Sequence, residues 1–191
     1  MILLILGGLA LSNLGKEFMP SLNEGDILYM PTTTPDISMT KARELLAYTD
    51  KVLKDHPLVE YSVGKLGRAN SAIDPAPVAM FETVIKLVPK DQWPEGKTIY
   101  EIMQDLDQAL QVPGLVNSWD FPIQTRIGMI STGIKTQIGI KIFGDDLRKL
   151  ESLASKVGKE VEKVKGAYGV YAEQITGKPY IEFDIDRVAA S

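Results

Sequence analysis

Residues 79–88, AMFETVIKLV, alternate between apolar and mixed positions and predict a strand at the centre of the first half of the chain. Successive side chains of a strand point to opposite faces, so the apolar set faces a core. Met80 shares the other face with Glu82 and Lys86. Filling the core is therefore a weaker explanation for Met80 than for an average methionine.

The elements around this strand define its fold. Strands are predicted at 27–33, 59–66 and 115–119, and helices at 39–55 and from the Thr98–Glu101 capping box to about residue 111. This β-α-β-β-α-β order is that of a ferredoxin-like, or split βαβ, unit. Met103 belongs to the apolar stripe of the second helix. His56, just after the first helix, is expected to be a solvated partner of that helix end.

The second half starts the same order again and then breaks off. Strands are predicted at 137–142, 168–173 and 179–185, with a helix capped by Asp145 or Asp146 after the first of them. The sequence thus predicts an α+β fold of two ferredoxin-like subdomains, residues 24–132 and 133–191, the second incomplete.

The N-terminal residues 1–15 begin with the apolar run MILLILGGLAL. As a helix to Leu14 it would measure about 21 Å, less than the roughly 30 Å of a bilayer's hydrocarbon core. We interpret it as the end of a transmembrane helix, with a buried core segment as the alternative. Both ends of the sequence therefore suggest a piece of a longer protein.

Composition excludes several classes of function. The chain has 191 residues, a net charge of −4, one histidine and no cysteine. Without a basic face it is not expected to bind nucleic acid, and thiolate or His-rich metal sites are ruled out. No phosphate-binding loop, dinucleotide fingerprint, nucleophile elbow or zinc-protease motif occurs. An enzymatic function is therefore the least favoured hypothesis.

Residues 122–135, PIQTRIGMISTGIK, are interpreted as a Gly-flanked junction between the two units, with Met129 outside any helical stripe. Met30, Met80 and Met129 then form a set on strands or junctions. Thioethers are soft, neutral ligands that favour Cu(I) and Ag(I). The alternative is that all three methionines are packing residues, because methionine adapts to irregular gaps.

Three strings carry a resemblance to a known family: EGDILYMPTTTPDIS (24–38), DPAPVAMFETVIKLVPKDQW (74–93) and RIGMISTGIKTQIGIKIFG (126–144). They resemble the periplasmic porter region of the heavy-metal RND efflux pumps, and most of all the copper and silver branch. The resemblance implies that the metal ligands are Met30 in LYMP, Met80 in APVAMFE and Met129 in RIGM. The divalent branch generally lacks the first of these.

The resemblance also implies a setting for the site. Charged residues near the family's cleft match Asp74, Glu82, Arg126 and Lys135, of which the two cations are expected to pair with the acids. The parent protein would be a proton-driven exporter of the bacterial inner membrane, not an enzyme, with this segment in the periplasm. It would need no cofactor beyond its transported metal ion, and it would act as a homotrimer with a periplasmic adaptor and an outer-membrane channel. A divalent-cation pump and a metal-free interaction module stay open as alternatives.

Overall fold

The computed structural model describes residues 22–67, 77–134, 138–167 and 169–174, together with Gly7, Pro20 and Thr136. These residues contain four strands and four α-helices. In chain order they are β1 (Asp26–Tyr29), α1 (Met39–Lys54), β2 (Val59–Leu66), β3 (Phe81–Leu87), α2 (Ile99–Ala109), β4 (Trp119–Asp120), α3 (Pro122–Thr132) and α4 (Leu147–Val161).

The four strands form one antiparallel sheet in the order β2-β3-β1-β4. Helix α1 connects β1 to β2, and α2 connects β3 to β4, so each helix joins two strands that run the same way. This is the split βαβ arrangement, and the predicted α+β fold is confirmed. The capping box predicted for α2 is present, since the Thr98 hydroxyl accepts a hydrogen bond from the amide of Glu101 and the Glu101 carboxylate accepts one from the amide of Thr98.

The core lies on the face of the sheet that the alternation in β3 predicts. Residues of β3 are alternately buried and more exposed along its whole length. Apolar side chains of β1, β3, α1 and α2 form one cluster, which includes Ile27, Leu53, Ile85 and Ile102. Met103 belongs to this cluster, so its assignment to the core is confirmed.

The second half differs from the prediction. Helix α4 forms, and Asp146 caps it by accepting hydrogen bonds from the amides of Arg148 and Lys149. The predicted strands at 137–142 and 168–173 are wrong for the residues described there, which form no strand. A strand needs a neighbour to share its hydrogen bonds, and no such neighbour lies in the described part. The side chains of Ile138 and Phe143 are accordingly 85% and 86% exposed.

Other predictions fall outside the described residues: the strand at 179–185 and, apart from Gly7, the membrane-helix end at 1–15. In the described part, no helix has both the length and the apolar character needed to cross a bilayer. The two subdomain boundaries stay predictions.

Gly64 of β2 lies directly under side chains of α1. A Cβ atom there would lie 2.5 Å from Oδ2 of Asp50 and 2.7 Å from Cδ1 of Leu46. Desolvation raises the pKa of the half-buried Asp50 carboxyl, although bonds from the Thr83 hydroxyl and the Gly64 backbone oppose this rise. A larger residue at position 64 therefore requires the side chains of Asp50 and Leu46 to shift.

Gly64→Ala is expected to lower the free energy of unfolding by about 1–3 kcal/mol, because the side chains of Asp50 and Leu46 must leave their places against the sheet. Urea denaturation followed by circular dichroism measures this change. Gly128→Ala is the matched control, since its Cβ would meet no atom closer than 3.7 Å. An unchanged urea midpoint for Gly64→Ala would contradict the close approach.

His56 occupies the turn between α1 and β2, and its amide donates to the Leu53 carbonyl at 3.2 Å, so it is a partner of that helix end as predicted. It is half-buried and not solvated. Its Nδ1 accepts a hydrogen bond from the amide of Leu58 at 3.2 Å, which requires a neutral imidazole. Burial is the main cause that lowers the pKa of His56; nearby Lys97 also lowers it, and Asp105 opposes both.

Because the folded chain prefers neutral His56, the stability it contributes is complete above the ordinary pKa of 6.5 and is lost as the pH falls below that value. Urea midpoints at pH 7.5, 6 and 5 measure the loss. His56→Asn keeps an acceptor for the Leu58 amide without titrating, so its midpoint is expected to fall less. Equal slopes for both chains would count against this role.

Candidate metal centre

Two of the three predicted methionines lie at the ends of paired strands. Met30 directly follows β1, and Met80 directly precedes β3. Thr32 forms a bridge to Met80 in the same register as the β1–β3 ladder. By this register Met30 lies opposite Glu82 and one diagonal step from Met80, a relation that places Cβ atoms somewhat less than about 7–8 Å apart. The structure therefore brings Met30 and Met80 to neighbouring positions on one face of the sheet.

Both residues are buried, yet they stand apart from the main core. Met30 is 0% exposed and Met80 is 8% exposed, but neither is part of the cluster that contains Met103. Met80 shares its face with Glu82, as the alternation predicts. Met30 and Met80 are thus buried at one end of the sheet, at a place separate from the main core.

Met129 lies on α3, so the interpretation of residues 122–135 as a junction is corrected: a helix without an apolar stripe occupies most of that segment. Pro122 fits the first helical position, where its missing N–H costs nothing, and Gly133 ends the helix with a φ of 71°. The Gly133 amide donates to the Met129 carbonyl at 3.0 Å. These two residues at the ends of the helix were the sequence signal for it.

Helix α3 is tied to the segment that enters β1. The side chain of Glu24 accepts a hydrogen bond from the amide of Ile123 at 2.9 Å, and Gln124 accepts one from the amide of Leu22 at 3.1 Å. Thr125 is 3% exposed and faces the protein. Met129 follows it by one helical turn on the same side and is half-buried. Helix α3 thus holds Met129 on its inward side.

One of the predicted charged residues pairs within the sheet. Glu82 forms an ion pair with Lys65 of β2 at 2.5 Å, because Lys65 lies directly opposite Glu82 in the β2–β3 ladder. Arg126 is an exposed residue of α3, and its pairing with the acids stays a prediction. Asp74 and Lys135 lie outside the described residues, and their roles stay predictions.

The donor set at this end of the sheet is soft. Within the described ranges, no three His, Cys, Asp or Glu side chains are grouped so as to hold a metal ion. The thioethers of Met30 and Met80 need no deprotonation, and they suit a soft monovalent cation better than a hard divalent one.

A buried polar network lies on the other face of the sheet from the pair and was not foreseen from the sequence. Asp107 of α2 is 7% exposed. Its carboxylate accepts hydrogen bonds from the side chains of Asn117 at 2.9 Å, Trp119 at 2.8 Å and Gln111 at 2.9 Å. The hydroxyl of Tyr29 donates to Asn117 at 2.8 Å, and its ring stacks on Trp119 with centroids 4.3 Å apart. The network therefore joins α2, β1 and the segment that contains β4.

Fold and site together define an α+β, ferredoxin-like domain with a buried pair of thioethers beyond the core. A model of the AcrB/AcrD/AcrF family matches residues 1–191. The chain belongs to this family, and the predicted relation to heavy-metal RND efflux pumps is confirmed.

Similar proteins support the same relation. The chain is 46% identical over 181 residues to the putative cation efflux system protein SilA of Salmonella typhimurium, and 42% identical to the cation efflux system protein CusA of Escherichia coli K12. It is 34% identical over 185 residues to the cobalt-zinc-cadmium resistance protein CzcA of Cupriavidus metallidurans. These matches cover 94–95% of the chain and 17% of each relative's length.

Solved structures agree with the fold. The crystal structure of a heavy metal efflux pump superimposes with a TM-score of 0.81 at 26% identity, covering 98% of this chain and 19% of that one. A second crystal form gives a TM-score of 0.82 at 25% identity, covering 99% of this chain and 20% of that one.

Proposed function

We propose that this chain forms a cleft of a heavy-metal efflux transporter and binds Cu(I) or Ag(I) through the thioethers of Met30, Met80 and Met129. The observation that carries the proposal is the buried pair of Met30 and Met80, which share one sheet face and do not belong to the main core. Met129 would approach the pair from α3.

The chemistry of the site follows from its ligands. Thioethers are neutral, so the bound cation keeps its charge, and Glu82, opposite Met30, offers the negative charge that offsets it. Lys65 forms an ion pair with Glu82, so Lys65 and the bound cation would share the Glu82 carboxylate. A doubly charged ion would meet too little negative charge among these donors.

For the parent protein we propose proton-driven export across a bacterial inner membrane, with this segment in the periplasm. Membership of the AcrB/AcrD/AcrF family supports transport over catalysis. Assembly as a homotrimer with a periplasmic adaptor and an outer-membrane channel is part of the same proposal. Four charged residues are proposed to line the cleft: Asp74, Glu82, Arg126 and Lys135.

A divalent-cation pump is the second candidate, and its support is the 34% identity to the cobalt-zinc-cadmium resistance protein. Calorimetric titration of the full 191-residue chain in detergent separates the two. The proposal expects one equivalent of Ag(I) to bind and an excess of Zn(II) or Co(II) not to displace it. Displacement by Zn(II) supports the divalent candidate, and absence of binding by any of the three metals supports a metal-free interaction module.

A further inference from the structure

The buried carboxylate of Asp107 is connected to the thioether pair through the segment 116–120. The side chains of Asn117 and Trp119 donate to Asp107. The residues that alternate with them bond to β1 and its extension: the Ser118 carbonyl accepts from the amide of Met30 at 2.8 Å. Thr32 and Val116 exchange two backbone hydrogen bonds of 2.9 Å. One side of the segment thus meets Asp107, and its backbone holds the strand with Met30.

The same segment leads into the helix that carries Met129. Trp119 and Asp120 form β4, Phe121 is buried at 1% exposure, and Pro122 begins α3. A shift of this segment relative to α2 would therefore move Met30 and the start of α3 together. Since Thr32 pairs with Met80, the shift would reach that residue as well.

We propose that Asp107 is a positioning residue for the thioether site, and this inference rests on the proposed function. Its carboxylate accepts three directed hydrogen bonds. An apolar residue can fill the space of the carboxylate but cannot accept these bonds. Residues that do not touch the metal but orient its ligands typically lower metal affinity by about 10- to 100-fold when they are substituted.

The test compares Ag(I) affinities of full 191-residue chains in detergent. Asp107→Leu is expected to lower the affinity about tenfold, the low end for residues that orient ligands. Asp107→Asn keeps an acceptor oxygen and is expected to retain most of the affinity. Leu53→Ala, in the core of α1, is a destabilised control that should bind Ag(I) as the unchanged chain does.

Trp119→Phe is the second variant should Asp107→Leu fail to fold. It removes one donor to Asp107 and keeps an aromatic ring to stack on Tyr29, so a smaller loss of affinity in the same direction is expected. Wild-type affinity in a folded Asp107→Leu or Trp119→Phe chain, or an equal loss in Leu53→Ala, overturns the inference.

Met30→Leu separates failure of this inference from failure of the proposed function. Should Met30→Leu bind Ag(I) as tightly as the unchanged chain, the thioether site itself is wrong. Should Met30→Leu lose affinity while Asp107→Leu does not, the site stands and the positioning role falls. In a chain that already carries Met30→Leu, Asp107→Leu is expected to lower the Ag(I) affinity by a smaller factor than it does alone, because part of its effect acts through Met30.

Discussion

The Asp107→Leu chain is expected to lose about 3–5 kcal/mol of its free energy of unfolding. Leucine shares the branched shape of aspartate but is larger and offers no acceptor to the buried N–H groups of Asn117 and Trp119, and each unsatisfied donor is costly. The side-chain amide of Gln111 loses its bond to the Asp107 carboxylate as well. Urea denaturation followed by circular dichroism measures this loss.

Asp105→Leu is the matched control on the same helix. The side chain of Asp105 is 43% exposed and pairs with Lys97 at 2.7 Å, and such surface pairs contribute about 1 kcal/mol or less. If the two variants unfold at the same urea concentration, the Asp107 network does not stabilise the fold as described.

The Met30→Leu chain is expected to bind Ag(I) about 100-fold more weakly, a loss of about 2.7 kcal/mol of binding free energy. Leucine has nearly the volume of methionine, so the change in folding stability should stay below about 1.5 kcal/mol. The loss would therefore report a missing ligand atom and not a damaged fold. Competition titrations against a chelator of known Ag(I) affinity measure it.

Met39→Leu and Met103→Leu provide the controls for this substitution. Met39 is 46% exposed on α1, and Met103 is packed in the main core. Neither change is expected to alter Ag(I) affinity. An equal effect of all three substitutions would mean that Ag(I) binds thioethers non-specifically.

Local patterns were sufficient to predict most of the first subdomain. The alternation in β3 and the capping box at Thr98 involve residues a few positions apart, and both were read correctly because a strand period or a helix cap is complete within such a stretch. The split βαβ order followed from the sequence of these elements.

Features that depend on distant contacts were missed. Helix α3 buries little beyond Thr125, so it shows no apolar stripe and depends on its ends and on Glu24, which is 99 positions from Ile123. Asp107 occupies an inward position of α2, where an apolar residue would be usual. Its connection to Tyr29 through Asn117 spans 88 positions in sequence and has no local signature.

The candidate site was predictable in part. The face on which Met80 lies followed from alternation, but the placement of Met30 next to it depends on how β1 pairs with β3, which no local pattern specifies. The ion pair of Glu82 with Lys65 likewise depends on the β2–β3 register.

The most direct test of the thioether site is an Ag(I) titration of the full 191-residue chain, with its methionine methyl groups labelled with 13C and observed by NMR. The signals of Met30, Met80 and Met129 are expected to shift together and to saturate at one equivalent of Ag(I), while those of Met39 and Met103 stay in place. A folded chain in which the first three signals do not move, or move independently of one another, would contradict a shared site.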